Sequence, residues 1–194
     1  FTTQHGGLFL FLPEIVRFGL DGLARKIGLP GSKMIPAGCA LRSMLALKLC
    51  AIDRASHIMP QVTDEGLALF AGLNVIPKKS YLSEYSNRVG HVRTTRLLAA
   101  VSGHLKGDHN FPGRSFNLDF HSIPYYGDDS VVESHYVSMR SRRQKSILTF
   151  LAQDADGDAF CYANADLRKG EENDEIFRFI EFWKKTRGQL PRHL

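Results

Sequence analysis

The sequence predicts a mixed helix-and-sheet chain, of the α+β or α/β class, with its helices first. Three observations carry that reading. Apolar residues recur at helical spacing through about residues 36–104. Strict polar–apolar alternation begins at Ser115 and marks a strand. Two further apolar runs joined by an Asp-Gly turn precede an amphipathic closing helix.

Each element has its local cause. Pro36 suits a first helical turn, and Leu41, Met44, Leu45 and Leu47 continue a helix to about Ile52. Thr63 is the expected N-cap of a second helix, with Asp64 and Glu65 in its first turn, where acids favour the helix dipole. That helix runs to Gly72, and a short connection, Leu73 to Pro77, leads to a longer helix from about Lys78 to His104. Gly90 and Gly103 weaken that helix locally, at about 1 kcal/mol each against Ala. The turn-rich segment 107–114 is the expected boundary, dividing the chain into residues 1–112 and 113–194. Past it, strands are expected near 115–121, 146–153 and 159–165, with residues 122–145 irregular. The last helix spans about Glu172 to Arg187, with Gly188 as its C-cap and Pro191 as a stop. The chain stops at Leu194, where an α/β fold would place its next strand, and the first residue is Phe1 without an initiator Met. The expectation is a fragment, with no signal peptide at its start.

Composition bounds the function. The 194 residues are 43% hydrophobic and 23% charged, an ordinary globular balance that excludes a disordered chain. No apolar run approaches the ~20 residues of a membrane span. Cys39, Cys50 and Cys161 have no CxxC spacing and read as free thiols of a reducing compartment. The net charge is +5, and the basic excess lies in residues 1–112 at +6, against −1 for 113–194. That asymmetry permits a polyanionic partner.

The chemistry-bearing stretch is FNLDFHSIPYYGDD, residues 116–129. Asp119 interrupts an apolar, aromatic strand. It is either a metal-binding carboxylate or a solvent-facing acid obeying alternation, and spacing alone leaves both open. His121 shares its sheet face and reads first as a partly exposed strand histidine. Asp128 and Asp129 read as turn formers. Asp154, Asp156 and Asp158 superficially resemble a calcium loop, but Gly157 is out of place and Ala165 occupies the expected Glu position. A hairpin turn explains them better. The run Arg140, Arg142, Arg143, Lys145 reads as a basic loop able to hold phosphates, or as a solvated loop. The helix pair around Gly72 suggests either a helix-turn-helix or an ordinary helical hairpin. In the first case Lys78, Lys79, Ser80, Ser83, Asn87 and Arg88 would contact phosphates and base edges. No serine-hydrolase elbow, P-loop, dinucleotide fingerprint or zincin motif is present.

Taken together, GGLFLFLPEIVRFGLDGL, PGSKMIPA, DEGLALFAGLNVIPKKSYLSEYSNRV, FNLDFHSIPYYGDDSVVESHYV, LTFLAQDADGDAFCYANAD and EIFRFIEFWKKTRGQLP resemble bacterial insertion-sequence transposases of the DDE class. The resemblance implies a helical DNA-binding region over 1–112. It implies that 113–194 are the first three strands and first helix of a ribonuclease-H-like domain. It implies three acids holding two Mg²⁺ or Mn²⁺ ions for DNA cleavage and strand transfer, and the first of them matches Asp119. The second and third have no match in residues 1–194, so this chain is not expected to catalyse the reaction by itself. The implied partners are double-stranded DNA, as transposon ends and target, and a second copy of the chain, in the bacterial cytoplasm at the nucleoid. A DNA-binding remnant that does not cut and a nuclease of the same fold are the alternatives.

Overall fold

Asp64, not Thr63, caps the second expected helix, one residue later than the sequence suggested. Its Oδ1 accepts a hydrogen bond from Leu67 N at 2.8 Å, the usual N-cap geometry. Both residue types cap well, but a carboxylate serves more donors. Asp64 also accepts from the Thr3 hydroxyl at 2.7 Å and from Gln4 N at 2.9 Å, and so ties the first residues to the helix.

The computed structural model describes residues 1–105 and 111–194. The fold is α+β and divides into two units, Phe1–Leu97 and Leu98–Leu194. The expected boundary segment falls largely on residues 106–110, outside the described residues.

The first unit is helical. A 3-10 turn, Gly6–Phe11, leads into α1 (Leu12–Phe18) and α2 (Leu20–Ile27). These precede the region of clear periodicity; each is about two turns long and ends at a glycine, too short to show a repeat. Then come α3 (Ala37–Leu49), a 3-10 turn at Ala55–Gln61, α4 (Glu65–Ala71) and α5 (Lys79–His104), whose residues from Leu98 on belong to the second unit. Leu8, Leu47, Ile58, Leu67, Phe70, Ile76 and Leu82 form the buried core of this unit. At Gly90 the long helix does more than weaken. Gly90 has φ 69° and ψ 163°, a conformation close to glycine-only, so the helix is broken there. The Arg93 guanidinium supplies donors at the break, from Nε to Gly28 O at 2.7 Å and from Nη1 to Val89 O at 3.3 Å.

The second unit is built on a four-stranded antiparallel sheet, one strand more than expected. Its strands are β1 (Phe116–Pro124), β2 (Ser134–Val137), β3 (Arg142–Asp154) and β4 (Ala159–Leu167), followed by α6 (Glu172–Arg187). β3 is central. β1 pairs along it from Phe116↔Asp154 to Pro124↔Ser146, while β2 and β4 share its other edge. Residues 122–145 are therefore irregular only in part. The end of β1, all of β2 and the first residues of β3 lie there, hidden from a sequence reading because β2 is four residues long and polar at alternate positions. Only His135 and Val137 are buried along it.

One face of the sheet is covered. α6 lays Phe179 and Trp183 against Phe116, Phe150 and Tyr162, with Phe116 and Trp183 ring centroids 4.7 Å apart and Phe116 and Phe179 at 5.1 Å. Edge-to-face pairs of this kind add to the burial of apolar area. The helix ends at Gly188 in the left-handed conformation. The chain then returns beside β1: Phe116 N donates to His193 O at 3.1 Å, and Ser115 and His193 form a parallel bridge.

Two expectations follow. Gly113 has φ 63°, and a Cβ there would stand 2.2 Å from Trp183 Cζ2. Gly113→Ala should destabilise the protein by about 2–4 kcal/mol, combining strain and overpacking, as read by urea denaturation. At Asp64, partial burial alone would raise the carboxyl pKa, but hydrogen bonds from Thr3, Gln4 and Leu67 and the nearby His5 outweigh it and hold the group below its ordinary 3.8. A lowered folded value stabilises above the unfolded pKa and loses that contribution as pH falls through the folded one. The stability gap between wild type and Asp64→Asn should thus be full above about pH 5 and shrink below pH 3.8 in thermal melts.

Candidate nucleic-acid interface

The alternation that buries Phe116 puts Asn117, Asp119 and His121 on the opposite face of β1. Asn117 and Asp119 are exposed and His121 is half-buried. Their cross-strand partners are Gln153, Leu151 and Thr149. Thr149 Oγ1 donates to His121 O at 2.8 Å and fixes the backbone beside the imidazole. Asp119 therefore sits exposed in mid-strand, on the face opposite Phe116. Among the described residues, no group of three His, Cys, Asp or Glu side chains is placed to hold a metal ion.

The other acids take structural positions. Asp154 is buried, and its carboxylate accepts from Gly113 N at 2.8 Å, Asp156 N at 3.1 Å and Gly157 N at 3.4 Å. It clamps the β3–β4 turn, which is the hairpin reading of that acidic run. Asp129 Oδ1 accepts from Val131 N at 2.9 Å, a turn-forming bond. Asp128 is exposed in the same segment.

The basic run is not a loop. Arg140 closes a 3-10 turn, Ser138–Arg140, and Arg142, Arg143 and Lys145 belong to β3, paired with β2 through Val137↔Arg142, Tyr136↔Arg143 and Ser134↔Lys145. All four side chains are exposed. Arg142 Nε donates to Gln144 Oε1 at 3.1 Å, and Lys145 Nζ to Asp129 O at 3.1 Å. Arg143 and Lys145 lie on the same face as Asp119 by strand parity.

In the first unit, Lys78, Lys79, Ser80, Ser83, Asn87 and Arg88 are all exposed. Lys79, Ser83 and Asn87 stand four apart on α5, opposite buried Leu82 and Tyr85. The Arg88 guanidinium lies over the rings of Tyr81, at 4.5 Å, and Tyr85, at 5.6 Å. Tyr85 is pinned by its hydroxyl, which donates to Pro30 O at 3.1 Å, and burial pushes its pKa up to about 12, aided by Tyr81. The connection between α4 and α5 covers residues 72–78. That is longer than the ~3–4-residue turn of a helix-turn-helix, so the exposed basic helix is present without that motif's tight corner.

Sequence reasoning missed a buried polar centre. Glu175 is fully buried at the start of α6. Its Oε1 accepts from the Tyr162 hydroxyl at 2.8 Å and Asn164 Nδ2 at 2.9 Å, and its Oε2 from Arg178 Nη1 at 3.1 Å. Burial, then the bond and charge of Glu175, push the Tyr162 pKa well above the ordinary tyrosine range. The available signal was the four-residue spacing Glu175, Phe179, Trp183, Arg187, which puts both charged ends on the apolar stripe. At the far end Arg187 donates to Ser102 O at 2.8 Å and to Phe111 O, with its guanidinium 5.0 Å from the Trp183 ring centre. Burial pushes the Cys50 thiol pKa up and that of Cys161 up to about 12, with Asp64 and Asp154 adding to the two effects respectively. A cavity of about 230 Å³ opens near the ends of β2 and β4, lined by Glu133, His135, Ser146, Asp166 and Arg168 among others. His135 Nε2 lies 3.6 Å from Glu133 Oε2, which also accepts from Lys169 N at 2.9 Å.

No family model, no curated protein and no solved structure matches the chain. Among the described residues, no helix is long and apolar enough to cross a membrane.

The Glu175 centre gives a testable contrast. Glu175→Ala leaves three donors without their acceptor and should cost about 3–5 kcal/mol, whereas Glu175→Gln keeps one acceptor oxygen and should cost about 1–2 kcal/mol. Urea midpoints of the two variants would check the ordering.

Proposed function

We propose that the chain is a DNA-binding part of a DDE-class transposase, with its second unit the opening portion of a ribonuclease-H-like domain. The observation that carries the reading is one arrangement. An antiparallel series β4–β3–β1 is followed by a helix that brings the chain back parallel to β1, at Ser115 and His193, and Asp119 lies exposed in mid-β1. Two exposed basic surfaces, on α5 and on the β2–β3 hairpin, support DNA as the partner, since cations that neutralise phosphates supply most of the non-specific affinity. A bacterial, nucleoid-associated location and a second copy as partner belong to the same proposal.

A pair of Mg²⁺ or Mn²⁺ ions does not fit the described residues. Two such ions need several carboxylates. Here Asp119 has an amide and an imidazole beside it on its face, and the described residues offer no group of three candidate ligands. Among the described residues Asp119 thus stands as a single carboxylate ligand. The same fact favours a second reading for the chain by itself: it occupies DNA without cutting it.

Fluorescence anisotropy with a labelled blunt duplex tests the proposal. The chain should bind, with affinity falling steeply with salt. Lys78→Ala with Lys79→Ala should weaken binding and flatten the salt slope by about 1.8 together, at about 0.9 per lost contact. Asp119→Asn should leave binding intact and change stability by less than about 0.5 kcal/mol, as expected for an exposed side chain. In NMR spectra, Mn²⁺ should broaden the amides around residues 119–121 in the wild type and not in Asp119→Asn. Absence of duplex binding, or broadening indifferent to Asp119, would overturn the reading.

A further inference from the structure

The β2–β3 hairpin carries exposed aromatic and apolar groups among its cations. Tyr136 is 58% exposed, Met139 81%, and Tyr126, just past the end of β1, 76%. Tyr136 stands directly across from Arg143, and Ser134 across from Lys145. Cross-strand partners project to the same side of a sheet, so Tyr136, Arg143 and Lys145 share one face. Parity along β3 continues that face through Ile147, Thr149 and Leu151 to Asp119, the partner of Leu151. Lys145 and Leu151 are six positions apart, a distance of about 20 Å at ~3.4 Å per residue.

We infer that this hairpin grips an unpaired stretch of a DNA strand, stacking a base on Tyr136 and holding its phosphates with Arg143 and Lys145, on the sheet face that carries Asp119. The inference rests on the DNA-binding reading above and deepens it by naming the form of DNA. Two arguments support it. An aromatic ring interleaved with cations on an exposed surface is the arrangement that binds single strands, because every base offers a π-face and every nucleotide a phosphate. A paired duplex hides its base faces within the stack, so a blunt duplex would engage the cations and leave the ring idle. Hydrogen bonds fix the nearby acids in place. The Asp129 carboxylate accepts from Val131 N, and its carbonyl holds the Lys145 ammonium at 3.1 Å; Glu133 accepts from Lys169 N. Asp128 and Asp129 are both exposed and both keep a charge that opposes the strand; they lie two and three positions past Tyr126.

The test compares two labelled oligonucleotides by anisotropy: a blunt duplex, and the same duplex with an unpaired tail of about five nucleotides. The wild-type chain should prefer the tailed form on the order of tenfold, from one base stacked. Tyr136→Ala should abolish that preference and leave blunt-duplex affinity unchanged, and Tyr136→Phe should keep it, since stacking needs the ring and not the hydroxyl. Arg143→Ala should weaken both complexes and reduce the salt slope by about 0.7–0.9. Tyr136 is exposed, so circular dichroism of its variants should match wild type. Equal affinity for the two oligonucleotides, or a tail preference that survives Tyr136→Ala, overturns the inference while leaving duplex binding standing. Failure to bind either one overturns the DNA reading as well.

Discussion

The second unit depends on β3. It is the only strand with hydrogen-bonded neighbours on both edges among the described residues, and its thirteen positions set the register of the other three. β1 takes its last nine residues, β4 overlaps the same stretch from the other side, and β2 takes the first four. Because side chains alternate along a strand, this one register decides at once which residues meet α6 and which face outward. Phe150 and Ala152, fully buried at its centre, hold the rows from Phe120 and Leu118 on one side and from Asn164 and Tyr162 on the other.

The core on the α6 side is not purely apolar. Glu175, Asp154 and Arg187 are all buried within it or at its rim. A buried charge is tolerated only with partners, and each has them: three donors on Glu175, three backbone amides on Asp154 and two carbonyls with an indole face on Arg187. These contacts are directional, whereas aromatic packing is less so. They fix where α6 begins over β4, how β3 turns into β4, and how the segment around Phe111 lies against the end of the helix. The aromatic cluster supplies the bulk of the burial, and the charged groups at its ends fix the alignment.

Much of this was legible in the sequence. The helices α3, α4, α5 and α6, the strands β1, β3 and β4 and the Asp-Gly hairpin follow from periodicity and turn chemistry, because each repeats its pattern long enough to be seen. What was hidden is short or depends on distant contacts. α1 and α2 are cut by Gly19 and Gly28 before a repeat develops. β2 becomes a strand only because Arg142–Lys145 pair with it. The Gly90 break needs a conformation that composition alone does not disclose. Of the site, the exposure of Asp119 and of the α5 cations follows from their spacing, while Tyr136 gained its neighbours Arg143 and Lys145 only through the β2–β3 register. The Asp64 cap shows a finer limit: Thr63 and Asp64 are equally good by type, and only the long-range bonds to Thr3 and Gln4 favour the second.

The outward position of Asp119 is a consequence of core packing. Phe116, Leu118 and Phe120 must face α6, and a period of two then sends Asn117, Asp119 and His121 outward without further specification. A one-residue slip of β1 against β3 would bury the carboxylate among aromatic rings and expose those rings to water, two large penalties arising from one displacement. The same register carries Arg143 and Lys145 to the face of Asp119, because all lie on odd positions of paired antiparallel strands. The hydrophobic core therefore positions the polar surface as strictly as any bond within that surface could. A substitution that loosens Phe116 or Phe150 would disturb the face they never touch, by allowing the strands to slide.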